Sequence, residues 1–310
     1  MAGDSLKAAL LVNLSIGVIK TIVGLITGSA AMIAEAYHSF ADTFNQILLA
    51  LGIRRSKRDP DLQHPFGYKK VQFFWAFVVA VLIFGVSGTL AFFEGLNIVL
   101  HPHDHHVSTE IGKFGWQLAV LFAAMILEGL ALRTAVGEAN HIREEIGAED
   151  LSDTVLEMQN PVLLSLLVED SLALVGLTIA FIGSVITFIT HEAIFDGITS
   201  MLIGIILMIG GLLLARENKT YLVGRSVSTK TQQEIRKIVL GHPSVKRINQ
   251  MRTMLLGPDT LLVTLDIVFS AESINSGDIG VADDIDQIEK DLSDQIPSLT
   301  ADRIIIETQL

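Results

Sequence analysis

Residues 31–53 read AMIAEAYHSFADTFNQILLALGI, and the reading of this stretch decides the fold. At about 20 residues per crossing it is long enough to span a bilayer as a helix. Yet it carries Glu35, His38, Asp42 and Asn45, spaced by three, four and three residues. At about 100° per residue, His38 and Asp42 differ by only about 40° around the helix, and Glu35 and Asn45 flank the same stripe. One face of an apolar helix thus offers an imidazole and carboxylates to its neighbours. Ionisable groups at membrane depth are costly, so each marks a functional site by default. An imidazole nitrogen with carboxylate oxygens suits Zn²⁺, and also Mn²⁺, Fe²⁺ or Co²⁺.

Working outward, the apolar residues, half of a 310-residue chain, collect in long runs before about residue 215. Six spans fit: 8–27, 31–53, 71–100, 115–137, 161–189 and 193–215. The runs lack the two-residue alternation of barrel strands, so they are predicted to be helices. The chain has no cysteine, which excludes disulfides, thiolate zinc sites and cysteine nucleophiles. A net charge of −12 gives no reason to expect nucleic acid as a partner. Met1–Lys7 lacks a basic n-region and an Ala-x-Ala-like cleavage site, so no removable signal peptide is expected, and a plasma (inner) membrane is the expected location.

Basic residues orient the spans. Loop two holds Arg54, Arg55, Lys57, Arg58, Lys69 and Lys70, loop four opens after Arg133 and contains Arg143, and Arg216, Lys219 and Arg225 follow span six. Loops three (His101 to Glu110) and five (Thr190 to Glu192) hold no Lys or Arg. The positive-inside rule then puts both termini in the cytoplasm. The expected division is a six-helix transmembrane domain over 1–215, a connector over 216–225 and a cytosolic α+β domain over 226–310. In that tail, Thr229–Leu240 reads as a helix capped by Ser228 or Thr229. Val245–Leu255 and Leu261–Phe269 read as strands around a Gly257-Pro258-Asp259 turn. Ile279–Leu292 reads as an acidic amphipathic helix and Arg303–Glu307 as a short strand. The α-β-β-α-β order predicts a small sandwich with helices on one face of the sheet.

Span five carries Glu169 and Asp170 on a run otherwise of Leu, Val and Ala, in what reads as its outer-middle third, after an Asn160 cap and Pro161 in the first turn. Adjacent residues point about 100° apart, so both need not face one site. A hydrogen-bonded network that merely holds helices together accounts for any one of these residues. It accounts poorly for both spans at once. Among the other charges, Lys20 is expected to snorkel and Glu94 to be interfacial. Glu128, deeper in span four, is either a relay or site residue or the partner of a donor on another helix. The His101–His106 loop reads as a solvated loop before a metal collector. His64 with Asp59 and Asp61 is a weak second metal site or a polar turn.

These residues resemble the cation diffusion facilitators, and within them the branch of the ninth mammalian zinc transporter. The likeness covers nearly the whole chain. It rests on Ala34-Glu35-Ala36-Tyr37-His38-Ser39 through Asp42-Thr43 and Asn45-Gln46 to Ile53, on the His64-Pro65-Phe66-Gly67-Tyr68 loop, on Glu128-Gly129 and Val168-Glu169-Asp170, on Leu222-Val223-Gly224-Arg225-Ser226, and on the α+β tail. The resemblance implies a homodimer in membrane lipid that exchanges cytosolic metal for outside protons by alternating access, with Zn²⁺ as transported substrate. It implies His38, Asp42 and Asp170 as ligands. Where the family has its fourth, this chain has Leu166, and Glu169 is the nearest substitute, with water, Glu128 or a backbone carbonyl as alternatives. Tyr68 stands where the loop site has a second His. In the tail, Asn249, Leu265 and Glu307 stand where the family has His ligands, so a tail that dimerises without a zinc cluster is expected.

Three functions follow for comparison. One is proton-coupled efflux of Zn²⁺, or of Mn²⁺, Fe²⁺ or Co²⁺ by the same mechanism. Another is an intramembrane metal hydrolase, against which the lack of any His-Glu-x-x-His stands. The last is a non-transporting membrane scaffold with a vestigial site. A transporter rather than an enzyme is the expectation.

Overall fold

The computed structural model describes residues 2–105, 108, 110–146, 161–271 and 277–309. The expected Asn160 cap, His106 of the outer loop and most of loop four lie outside these residues. The helices are α1 (Ala2–Thr27), α2 (Ala30–Ser56), α3 (Val71–Val78) continued through a π-helical segment (Val79–Phe84) into α4 (Gly85–Leu100), α5 (Ile111–Ile146), α6 (Pro161–Thr190) and α7 (Ala193–Val223). Each expected span falls within one helical segment. Four segments, 71–100, 111–144, 163–190 and 193–223, are long and apolar enough to cross a membrane, and Asn13–Thr27 is a shorter apolar helix. α2 has the length but not the uniform apolarity, because its polar face interrupts the run. The π-helical segment, absent from the sequence expectation, widens the third span at its middle.

Two further differences concern helix ends. α5 has 36 residues, about 54 Å at 1.5 Å per residue, and so outlasts its 115–137 span. α7 continues to Val223, so most of the expected 216–225 connector is helix. Among the described residues the chain divides into two compact units. One is built from residues up to Arg54, from Phe74 through α5, and from Pro161 to Lys219; the other comprises Arg55–Phe73 and the residues from Thr220 onward.

In the first unit α1 ends at a glycine with positive φ, Gly28 at 72°, and the Ser29 N–H returns to the Gly24 carbonyl at 3.1 Å. This turn suits glycine because a Cβ is strained in that conformation. The start of α2 is then capped from another helix. Asp196 of α7, fully buried, accepts the Ser29 hydroxyl at 2.7 Å and the backbone N–H groups of Ala30 and Ala31. A carboxylate there satisfies N–H groups that a helix leaves unpaired. Gln117 of α5 donates to Ser29 Oγ at 3.1 Å and to Ser184 Oγ of α6 at 2.7 Å. Four helices are thus tied by polar bonds at one end. The sequence reading passed over Asp196, because an acid four residues into a span reads as interfacial.

The second unit holds α8 (Thr229–Leu240), β1 (Val245–Gly257), β2 (Thr260–Phe269), α9 (Gly277–Gln295) and β3 (Ile304–Gln309). Ser228 caps α8, accepting the Thr231 N–H at 3.1 Å. β1 and β2 are antiparallel across the Pro258-Asp259 turn, and β3 joins β2 in parallel, giving the order β1-β2-β3. The parallel pairing requires a crossover, which α9 supplies. β2 alternates: Leu261, Val263, Leu265, Ile267 and Phe269 are buried in one core with Ile235 and Val239 of α8 and Ile288 and Leu292 of α9. This is a helical membrane protein with a C-terminal α+β domain in the predicted α-β-β-α-β order. Leu265, where a ligand is missing, is a core residue at 2% exposure.

Candidate metal site

α2 presents its stripe to α6. His38, Asp42 and Asn45 are all buried. His38 Nε2 lies 3.5 Å from Asp42 Oδ2, as expected of residues one turn apart on one face. The Asp42 and Glu169 carboxyls lie beside one another, and Asn45 Nδ2 donates to Glu169 Oε2. Asp42, Glu128, Glu169 and Asp170 line one cavity of about 470 Å³ with Gln46 and Leu166. The structure therefore brings Asp42, Asn45 and Glu169 into contact with His38 alongside, and sets Asp170 and Glu128 on the cavity wall. Leu166 adds only hydrocarbon to it.

The donor set fits a divalent cation in kind. Asp42 Oδ1, Asn45 Oδ1 and Gln46 Oε1 are buried acceptors with no hydrogen-bond donor among the described residues. Such acceptors are costly unless something positive approaches them. As they stand, no three His, Asp or Glu side chains among the described residues converge closely enough to hold an ion.

Two expectations are corrected here. Glu169 and Asp170 are not in the outer-middle third of their span: they lie in the first third of α6, the 30-residue helix Pro161–Thr190, toward loop four. Lys20 does not snorkel. It is 1% exposed, and its ammonium donates to Glu35 Oε2 at 3.1 Å and to Ser39 Oγ at 2.9 Å. A lysine in mid-helix cannot reach an interface when a carboxylate on the next helix offers a nearer partner. Glu35, a candidate secondary ligand, is accordingly committed to Lys20.

The loop candidates Asp61 and His64 do meet, with Asp61 Oδ1 3.4 Å from His64 Nδ1. Asp61 also accepts the backbone N–H groups of Gln63 and His64, at 2.9 and 2.8 Å, and the Tyr68 hydroxyl. The Tyr68 hydrogen bond first, then the His64 backbone N–H, hold the Asp61 carboxyl below the usual carboxylate range. This is a polar turn whose carboxylate is already engaged. The sign follows from linkage. A lowered folded value means that this ordering is present above the ordinary Asp value of about 3.9 and is lost as pH falls through the lowered one. Tyr68→Phe should move the Asp61 midpoint up, measured by NMR titration of the carboxyl carbon in the full chain. An unmoved midpoint would remove Tyr68 as the main cause.

The outer loop forms a 3₁₀ turn over Pro102–Asp104. His101 Nδ1 lies 3.3 Å from the Asn97 carbonyl, and His105 Nε2 lies 3.3 Å from Asn97 Nδ2. Both described contacts are with Asn97 rather than with a shared point.

A bundle of helices, four of them long and apolar enough to cross a membrane, with buried imidazole and carboxylate side chains facing one another from α2 and α6 and a small α+β domain after it, defines a multi-pass membrane protein. Residues 6–223 match the cation efflux transmembrane domain, and the chain belongs to the cation efflux family, a family of transporters. Among curated proteins it is similar to the mitochondrial proton-coupled zinc antiporter SLC30A9 of Xenopus laevis, 28% identical over 257 residues, which are 82% of this chain and 44% of that protein. The human protein of that name is 29% identical over 240 residues, 77% of this chain and 41% of that one. Metal tolerance protein C4 of Arabidopsis thaliana is 26% identical over 270 residues, 87% of this chain and 58% of that protein. The chain spans less than half the length of the two antiporters.

Proposed function

We propose that this chain exports a divalent transition metal from the cytosol in exchange for protons, by alternating access, with Zn²⁺ as the favoured substrate. The observation that carries the reading is the cavity lined by Asp42, Glu128, Glu169 and Asp170, with His38 against Asp42. The proton coupling and the zinc draw on the likeness to the SLC30A9 proteins, which are proton-coupled zinc antiporters. His38, Asp42, Asp170 and Glu169 are the proposed ligands. A set of one nitrogen and several carboxylates also admits Mn²⁺, Fe²⁺ or Co²⁺.

The cavity extends to Thr134 and Glu138 of α5 and Leu163 of α6. Leu163 lies in the first turn of α6, and Thr134 and Glu138 lie in the C-terminal part of α5, toward loop four, the side the positive-inside rule gives to the cytosol with both termini. The Asp196–Ser29–Gln117–Ser184 ties lie at the other end of the same helices. This arrangement supports an inward-facing state loading from the cytosol. Metal ligands must be deprotonated, so loading releases protons, including any shared by Asp42 and Glu169. Protons arriving from the far side then displace the metal. We further propose a homodimer in the plasma (inner) membrane, with residues 1–215, 216–225 and 226–310 as membrane domain, connector and cytosolic domain.

The test is metal-driven proton flux in proteoliposomes carrying the purified full chain and a lumenal pH dye. Zn²⁺ added on the cytosolic face should drive counter-movement of protons, with Mn²⁺, Fe²⁺ and Co²⁺ compared at equal concentration. Absence of flux with all four metals sinks the reading.

A further inference from the structure

The proposed donor set uses neither Lys20 nor Glu35, yet both are buried to 1% or less. A buried ion pair is weak evidence for stability, because well-packed apolar residues of similar volume serve a helix contact as well. Its position says more. Lys20 Nζ rests on Ser39 Oγ, the residue beside His38. Glu35 precedes Asp42 by seven residues, so the two share one face of α2 about two turns apart.

On α6, Gly176 follows Glu169 by the same interval. A Cβ on Gly176 would lie 2.7 Å from Glu35 Oε1. The α2–α6 interface therefore has two storeys: Asp42 and Asn45 meet Glu169 on one, and Glu35 meets Gly176 on the next. Glu35 Oε1 is itself buried and accepts no hydrogen bond among the described residues. The second storey thus holds a carboxylate with one oxygen facing the interface and the other covered by an ammonium.

We infer that Lys20 is a specificity- and release-determining residue. Its ammonium neutralises Glu35, so a divalent cation is offered the Asp42 storey alone and can leave it. The inference rests on the metal-transport reading. Without Lys20, Glu35 becomes a second anionic station along the α2–α6 interface, and the cation is held rather than passed on. Without the Glu35 charge, Lys20 is an uncompensated cation beside the site and repels the cargo.

The two single variants must therefore shift metal affinity in opposite directions, which a merely structural pair would not do. K20M should bind Zn²⁺ at least about tenfold tighter and turn over more slowly. E35Q should bind it at least about tenfold weaker, since one charge at this range in a poorly screened interior is worth that much. The double variant K20M/E35Q should return toward wild-type affinity.

Calorimetric Zn²⁺ binding to the full chain in detergent, with proteoliposome flux and metal-free thermal unfolding in parallel, reads all three. A wild-type chain that binds no metal overturns the transport reading and the inference with it. A wild-type chain that binds and transports, while both single variants move affinity in one direction or not at all, overturns the inference alone. Should K20M fail to fold, E35Q decides: unchanged or tighter binding overturns the inference.

Discussion

Asp42→Asn is expected to abolish metal-driven proton flux while leaving the helical bundle folded. Asp42 is the side chain on which the site's contacts meet. It lies 3.5 Å from His38, sits beside Glu169 and lines the cavity. Asparagine keeps its shape and loses its charge, and its amide presents N–H donors where a cation needs acceptors. Removing even the residues that orient metal ligands costs about 10–100-fold in affinity, so loss of a charged ligand should cost at least the upper figure. Folding should not suffer. Asp42 and Glu169 are carboxyls in contact, and one neutral amide among them relieves like-charge crowding.

Thermal unfolding separates the two effects. At metal concentrations about 100-fold above the dissociation constant, binding to the folded state adds about 2.7 kcal/mol. Wild-type protein should therefore melt higher with Zn²⁺, and Asp42→Asn should melt at one temperature with and without Zn²⁺, no lower than metal-free wild type. A variant still raised in melting temperature by Zn²⁺ would remove Asp42 from the site. His38→Ala is expected to act in the same direction with less effect, because it takes away a neutral donor.

Much of this site was legible in the sequence because helical spacing is rigid. Residues three, four and seven apart must share a face, so His38, Asp42 and Asn45 could be grouped without coordinates. The C-terminal α+β domain was legible for a similar reason: alternation along β2, a Pro-Asp turn and a serine cap each have a local cause. What escaped depends on which helix lies next to which. Lys20 and Glu35 are fifteen residues apart on different helices, and no periodicity says that they meet. Asp196 caps a helix whose start lies far earlier in the chain. The contact of Glu169 with Asn45 joins two helices far apart in sequence, and a uniform apolar run does not announce it. Tyr68 could be read as standing where the resemblance implies a second His, but its hydrogen bond to Asp61 is a tertiary fact.

The glycines of α4 and α7 are the sharpest case of such a fact, and Gly95→Val is expected to prevent recovery of folded protein. Gly88 and Gly95 are seven residues apart on α4, as are Gly197 and Gly204 on α7, so each pair lines one helix face. A Cβ on Gly95 would lie 2.3 Å from the Gly197 carbonyl oxygen and 2.7 Å from the Met201 backbone nitrogen. Reciprocally, a Cβ on Gly204 would lie 2.6 Å from the Gly88 carbonyl oxygen. The obstructing atoms are helix backbone, which cannot step aside as a side-chain tip does. The close approach also lets the Ser200 hydroxyl reach the Ala91 carbonyl at 2.7 Å. In lipid there is little hydrophobic drive between helices, so association rests on close packing by small residues and on such bonds. Overpacking costs about 1–3 kcal/mol where side chains can adjust and more where they cannot. Valine at position 95 should part α4 from α7, break the Ser200 bond and leave little monodisperse protein in detergent. Gly115→Val is the control, because a Cβ there meets nothing within 4 Å. The contrast is read by size-exclusion recovery and melting temperature. Gly95→Val protein recovered in wild-type yield and melting like the Gly115→Val control would show that α4 and α7 do not meet through these glycines.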